Sequence, residues 1–190
     1  MTEQETRHII GIDPGTVLMG YGVLACQGQK PELVAMGVLR LDRYKSHYER
    51  LDRIYEGVSA LIARYHPEAL AIEAPFYGKN VQTMLKLGRA QGAAMVAAIS
   101  QGLTVTEYSP STIKKAITGS GNASKEQVAA LIQHMLNIPN ESMLDELDAT
   151  DGVAAALCHH LHLTSPLLNA KGRGGSWSDY IRNNPDKIVR

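Results

Sequence analysis

His8-Ile-Ile-Gly-Ile-Asp13 is a short apolar run that ends on an acid and is stopped at once by Pro14-Gly15-Thr16. Such a run reads as a buried strand closing in a tight turn, because Pro and Gly end the pattern and the apolar side chains need cover. A charged group ending an apolar strand is costly unless it is solvated or paired. Ala69-Leu-Ala-Ile-Glu73 repeats the arrangement: a short buried strand with a carboxylate at its carboxyl end. That edge is where open α/β sheets bind ligands, so Asp13 and Glu73 are candidate site residues as soon as the two strands are placed side by side.

The rest of the chain supplies cover for such a sheet. Residues 20–25 and 33–41 are apolar segments at hairpin spacing and complete an antiparallel meander of three strands. Leu51, Ile54, Tyr55, Val58, Leu61, Ile62 and Tyr65 recur at helical spacing, with the tyrosines read as core, and Pro67 closes that helix. A second helix spans 80–100 and carries Gly88, Gly92, Ala93, Ala97 and Ala98, small residues that admit another backbone, either its own sheet or a second copy of the chain. A strand at 103–108, a short helix at 111–118, a capping box at Ser124 and Gln127 opening a helix to about 136, and a last helix over 147–163 follow. Strands early and helices late point to an α/β chain: a mixed five-stranded sheet flanked by helices.

At 190 residues, 44% hydrophobic and 20% charged, the chain is expected to fold as one domain over 1–168, with a flexible basic tail over 169–190. No apolar run approaches the ~18 residues of a membrane span, and Met1-Thr-Glu-Gln-Glu-Thr-Arg7 is polar and acidic where a signal peptide is basic and then apolar, so a cytoplasmic protein is expected. Cys26 and Cys158 fit neither a disulfide framework nor a C-x-x-C metal site and are read as buried and inert. Cys158-His-His160 with His162 is read as surface histidines, since members of such a run face different directions on a helix.

Lys plus Arg equals Asp plus Glu at 19 each, but the balance hides a segregation. Residues 74–125 hold six bases (Lys79, Lys86, Arg89, Lys114, Lys115, Lys125) against the single acid Glu107, while 126–170 hold six acids and no Lys or Arg. A cation site beside a polyanion site has this signature, and so does a solvated acidic helix face. Asp148 and Asp151, spaced i, i+3, share one face of the last helix. If that face packs near Asp13 and Glu73, four carboxylates occupy one pocket and repel one another unless divalent cations fill it. All-oxygen ligation suits Mg²⁺ or Mn²⁺ over Zn²⁺, and two such ions suit in-line displacement at a phosphodiester.

Ile10-Gly-Ile-Asp-Pro-Gly-Thr16, Ala71-Ile-Glu-Ala-Pro-Phe76 with Lys79-Asn80, Leu85-Lys-Leu-Gly88 and Asp148-Ala-Thr-Asp-Gly152 resemble, in this order, the motifs of RuvC-type Holliday-junction resolvases. The resemblance implies a ribonuclease H-like fold, a homodimer, and two-metal nicking of opposed strands of a four-way DNA junction, with two Mg²⁺ per site and Mn²⁺ as substitute. It implies Asp13, Glu73, Asp148 and Asp151 as metal ligands, and Lys125 and Lys114 beside the scissile phosphate, with Lys115 leaving the latter assignment open. Phe76 matches an aromatic that touches bases at the junction centre, and Lys79, Lys86, Arg89 and Lys115 complete the DNA-facing set. A branch-migration helicase complex is the implied partner. Asp145 and Glu146 precede the acidic pair and leave a one-turn shift open. The first motif also resembles the phosphate turn of sugar kinases and actin-like ATPases, but those enzymes duplicate the domain. A junction-binding module without catalysis and another ribonuclease H-like nuclease are the remaining alternatives.

Overall fold

The computed structural model describes residues 6–75, 80–139 and 147–164. The elements are β1 (Arg7–Asp13), β2 (Leu18–Gln27), β3 (Lys30–Arg40), α1 (His47–Tyr65), β4 (Ala69–Glu73), α2 (Val81–Ile99), β5 (Thr104–Tyr108), α3 (Pro110–Thr118), α4 (Lys125–Met135) and α5 (Leu147–Thr164). One sheet runs in the order β3-β2-β1-β4-β5, antiparallel through the first three strands and parallel from β1 to β4 to β5. The mixed five-stranded sheet and its flanking helices are as read from the sequence. β2 and β3 are longer than expected because Gly28, at φ 59°, turns the chain tightly enough for pairing to begin at Gln27 and Lys30.

Strand alternation sorts the core into two layers. Ile10 and Ile12 of β1 and Leu70 and Ile72 of β4 pack with Ile54, Val58 and Ile62 of α1 and the alanines of α2. Ile9 and Ala71 face the other way, onto α3, α4 and α5 through Ile113, Ile132, Val153 and Leu157. Successive strand residues alternate faces, so Asp13 lies on the same side as Ile9, and Glu73 on the same side as Ala71: the α5 side. The parallel register pairs Gly11 with Ala71 and Ile12 with Ile72, which brings the two carboxyl ends level.

The helix α5 touches the sheet almost backbone to backbone. A Cβ placed on Gly20 would stand 1.7 Å from the carbonyl oxygen of Asp148, and one on Gly11 would stand 2.1 Å from that of Gly152. A Cβ on Gly152 would stand 2.6 Å from the Tyr21 backbone. Every residue of α5 from Gly152 to His160 is buried, since the sheet covers one side of the helix and α3 and α4 the other.

Three expectations are corrected. His159 and His160 are buried, not surface residues, because α5 is the central helix; the Tyr108 hydroxyl lies 2.9 Å from His159 Nδ1, and burial lowers the pKa of both histidines. Tyr55 is exposed on α1 and is not core; Ile54 and Val58 fill that place. Gly88 and Gly92 do not admit their own sheet: a Cβ on either meets nothing within 4 Å beyond its own helix, and Ala90, Ala94, Ala97 and Ala98 make the buried face of α2. Cys26 and Cys158 are buried and free, with burial pushing their thiols up to about 11 and about 12. Among the described residues no helix is long and apolar enough to cross a membrane. The tail over 169–190 lies outside the described residues.

The glycine contacts give the first test. Gly20→Ala is expected to cost about 3 kcal/mol, measured by urea unfolding, because the new methyl meets backbone that cannot rotate away. Unchanged stability would show that α5 does not lie this close to β2.

Candidate metal centre and nucleic-acid interface

The site is assembled from the ends of three elements. β1 delivers Asp13, and the turn that follows is fixed by Arg50 of α1, whose guanidinium donates to the Thr16 carbonyl at 2.7 Å and the Tyr44 carbonyl at 2.8 Å. β4 delivers Glu73, and the backbone N–H of Ala74 bonds to the Tyr108 carbonyl at 2.8 Å, so the parallel ladder continues past the acid. The first two turns of α5, carried to the sheet by the glycine contacts, deliver Asp148 and Asp151.

One carboxylate oxygen each from Asp13, Asp148 and Asp151 lies within 4.8 Å of the others. This span fits a shared cation, because oxygens about 2.1 Å from one ion stand at most about 4.2 Å apart and small side-chain rotations close the remainder. Glu73 stands outside that closest group and acts on it electrostatically. The structure therefore brings the four acids to one place, three of them in mutual reach and the fourth at the border. Asp145 and Glu146 lie outside the described residues.

Electrostatics mark the same place. Burial, then the negative charges of Glu73 and Asp151, push the Asp13 carboxyl up to about 8 against the pull of Lys125. Burial and Asp151 push Glu73 to about 7, against Lys125 and Lys114. Lys125, just inside α4 after the Ser124/Gln127 capping box, hydrogen-bonds Asp151. Burial disfavours its charge, but that bond and the field of Asp151, Asp13 and Asp148 outweigh burial and raise its pKa. Lys125 and Lys114 do not balance this many carboxylates, and a cluster of oxygen donors in which Asp13 and Glu73 tend to keep protons is chemically suited to a hard divalent cation.

Beside the acids lies a cavity of about 610 Å³ lined by Glu73, Asp151, Lys114, Lys125, Ser109, Ser111 and Asn122, among others. Lys114 borders it, while Lys115 is exposed on the next position of α3 and does not line it. Lys86 and Arg89 are exposed on α2, apart from this cavity, and their field, with that of Arg50, adds to the burial that lowers the His47 pKa. Phe76 and Lys79 lie outside the described residues. Ser109, Ser111 and Asn122 escaped the sequence reading; the signal was Ser109-Pro-Ser111, a helix start placed directly after the strand that ends at Tyr108.

The family model described as Crossover junction endodeoxyribonuclease RuvC matches residues 9–159. The chain belongs to the RuvC family. A Porphyromonas gingivalis relative of that name is 55% identical over 183 residues, covering 96% of this chain and 97% of its own length. One from Bacteroides fragilis is 54% identical over 180 residues, 95% of each chain. Among solved structures, Thermus thermophilus RuvC superposes with a TM-score of 0.73 at 33% identity, covering 82% of this chain and 95% of that one. The T. thermophilus RuvC solved in complex with Holliday junction substrate gives 0.73 at 31%, over 82% and 94%. The fold is thus the ribonuclease H-like fold of RuvC, and a nuclease family with a clustered acidic site uses a divalent metal. Membership in this family also sets aside the kinase-like reading of the first motif.

A titration follows from these carboxyls. In the unfolded chain they lose their protons near pH 4, whereas Asp13 and Glu73 hold theirs to about 8 and about 7 when folded. Ionisation therefore costs the metal-free protein stability progressively as pH rises from about 4 to about 8. In chelator, Asp13→Asn is expected to flatten this loss and raise the melting temperature at pH 9 by about 5 °C over the parent. Equal pH slopes for the two proteins would contradict the placement of Asp13.

Proposed function

We propose that the chain is a Holliday-junction resolvase that makes paired, symmetric nicks in four-way DNA junctions during recombination and repair, acting in the cytoplasm as a homodimer. The observation that carries this reading is the set of carboxylates at the ends of β1, β4 and α5, bordered by Lys114 and Lys125, in a chain similar over nearly its whole length to RuvC proteins.

In this reading Asp13, Glu73, Asp148 and Asp151 hold two Mg²⁺, with Mn²⁺ able to replace them. Such a pair, when bound, activates a water and stabilises the leaving oxygen of a phosphodiester. Lys125 and Lys114 would supply positive charge beside the scissile phosphate. Lys115, Lys86, Arg89 and Lys79 hold the DNA arms through salt-sensitive contacts, and Phe76 stacks on bases at the junction centre. Residues 1–168 form the nuclease unit, and 169–190 add basic charge.

Two nicks of matched polarity need two sites related by a two-fold axis. Support for the dimer comes from α2: Val81, Leu85, Val96 and Ile99 are each at least half exposed and, with Gly88 and Gly92, fall on one stripe at spacings of three and four. Glycines without neighbours in an apolar stripe allow a second α2 to approach closely. A branch-migration helicase complex is the proposed further partner.

The test is a nicking assay on a four-way junction, a linear duplex and an RNA–DNA hybrid, with Mg²⁺ and with chelator. Paired junction nicks only with Mg²⁺ are expected, falling by at least about 100-fold in Asp148→Asn while junction binding persists. Lys125→Ala should slow the single-turnover rate on saturating junction, and Lys86→Ala should chiefly weaken binding at raised salt. Cleavage in excess chelator, or equal cleavage of linear duplex, would overturn the reading. For the dimer, Gly92→Leu is expected to sediment as a monomer that binds metal but does not pair its nicks. Parent protein that stays monomeric at micromolar concentration with junction present would remove the symmetry.

A further inference from the structure

The buried face of α2 is built from alanines except at Gln91, which is 7% exposed. Packing alone would be served by an apolar side chain of that volume, since a buried amide costs free energy unless its hydrogen bonds are made. Gln91 makes them at one place: its Nε2 donates to the backbone carbonyl of Glu73 at 3.3 Å and to Oε2 of Glu107 at 2.7 Å. Both acceptors face the same nitrogen, which fixes the amide's orientation, because its oxygen there would meet two oxygens. Ile72 pairs with Glu107 and Glu73 with Tyr108, so the amide bridges the ends of the two parallel strands where β4 leaves the sheet.

We propose that Gln91 is a positioning residue: it clamps the backbone at Glu73 to Glu107 of β5 and to α2, and so sets where the Glu73 carboxylate stands relative to Asp13, Asp148 and Asp151. This rests on the reading of Glu73 as a metal ligand. The Glu73 carboxylate is at the border of the acidic group, and the main chain that carries it is restrained by the Gln91 bond to its own carbonyl and by the Ala74 N–H bond to the Tyr108 carbonyl. Glu107 contributes as an acceptor with a full charge, which strengthens the bond. It is the single acid among residues 74–125, otherwise basic, and its use here as a structural anchor explains a carboxylate on that surface. The clamp also joins the metal-site edge to the helix whose opposite face carries the apolar stripe.

The experiment measures Mn²⁺ affinity by calorimetry on the full chain, with melting temperature and single-turnover junction nicking as companions. Gln91→Leu keeps volume and removes both bonds; it is expected to weaken Mn²⁺ binding about 10-fold and slow nicking at low Mn²⁺, with the rate recovered in excess Mn²⁺ and junction affinity in chelator unchanged. Glu107→Ala reads the same clamp from its exposed end, where folding is not at stake, and should weaken Mn²⁺ binding about 3-fold. A lowered melting temperature with Mn²⁺ affinity and metal dependence of the rate unchanged in both variants would make Gln91 merely structural and overturn the proposal. Glu73→Gln separates the two layers. If it binds Mn²⁺ as the parent does, the ligand role of Glu73 falls and the clamp's purpose with it. If it loses Mn²⁺ while Gln91→Leu does not, only the clamp falls.

Discussion

Everything about the site depends on how closely α5 can approach the sheet. Asp148 and Asp151 are more than 130 residues from Asp13 in sequence, and no local pattern brings them together. Their meeting requires the helix backbone to lie on the backbone of β1 and β2 at Gly11 and Gly20, where even a methyl group would collide with a helix carbonyl. Once that contact exists, the strand period does the rest. Asp13 and Glu73 lie on the α5 side because Ile9 and Ala71 do, and the parallel register sets them level.

The same contact creates an electrostatic conflict that the protein alone leaves open. Burial and mutual repulsion hold Asp13 at about 8 and Glu73 at about 7, so the metal-free site keeps protons that these groups would lose in water near pH 4. Lys125 offsets part of this, at Asp151. The sheet and helix layers, with cores on both faces, bear the cost. Sites that bind highly charged ligands are commonly built this way, since preorganised charge needs no rearrangement at the moment of reaction. A divalent cation entering here would displace protons, and its affinity would rise with pH through the range where the two acids titrate.

Much of this was legible in the chain. Strands that end on acids, a capping box at Ser124 and Gln127, and an i, i+3 acidic pair each have a local physical signature, and each recurs in the structure. What local pattern could not supply was the surroundings of each helix. The histidines of α5 read as surface because the members of such a run face different directions on a helix. Enclosed by a sheet and two other helices, α5 is buried at every position from Gly152 to His160, and His159 bonds to Tyr108 from a distant strand. Tyr55 read as core because tyrosine fits an apolar stripe, but the stripe is narrower than its spacing allowed. On α2 the alanines and the glycines both read as a close-packing face, and only the tertiary structure separates the buried alanines from the open glycines. Gln91 carried no sequence signal, because its partners come from two other strands.

The central claim is that the carboxylates at the ends of β1, β4 and α5 form a divalent-metal centre. Anomalous diffraction from crystals grown in Mn²⁺, at a concentration that supports junction cleavage, tests it most directly. A peak is expected about 2.1 Å from oxygens of Asp13, Asp148 and Asp151, and a second within reach of Glu73. Crystals in which Mn²⁺ is ordered elsewhere on the chain, with no peak among these four acids, would contradict it.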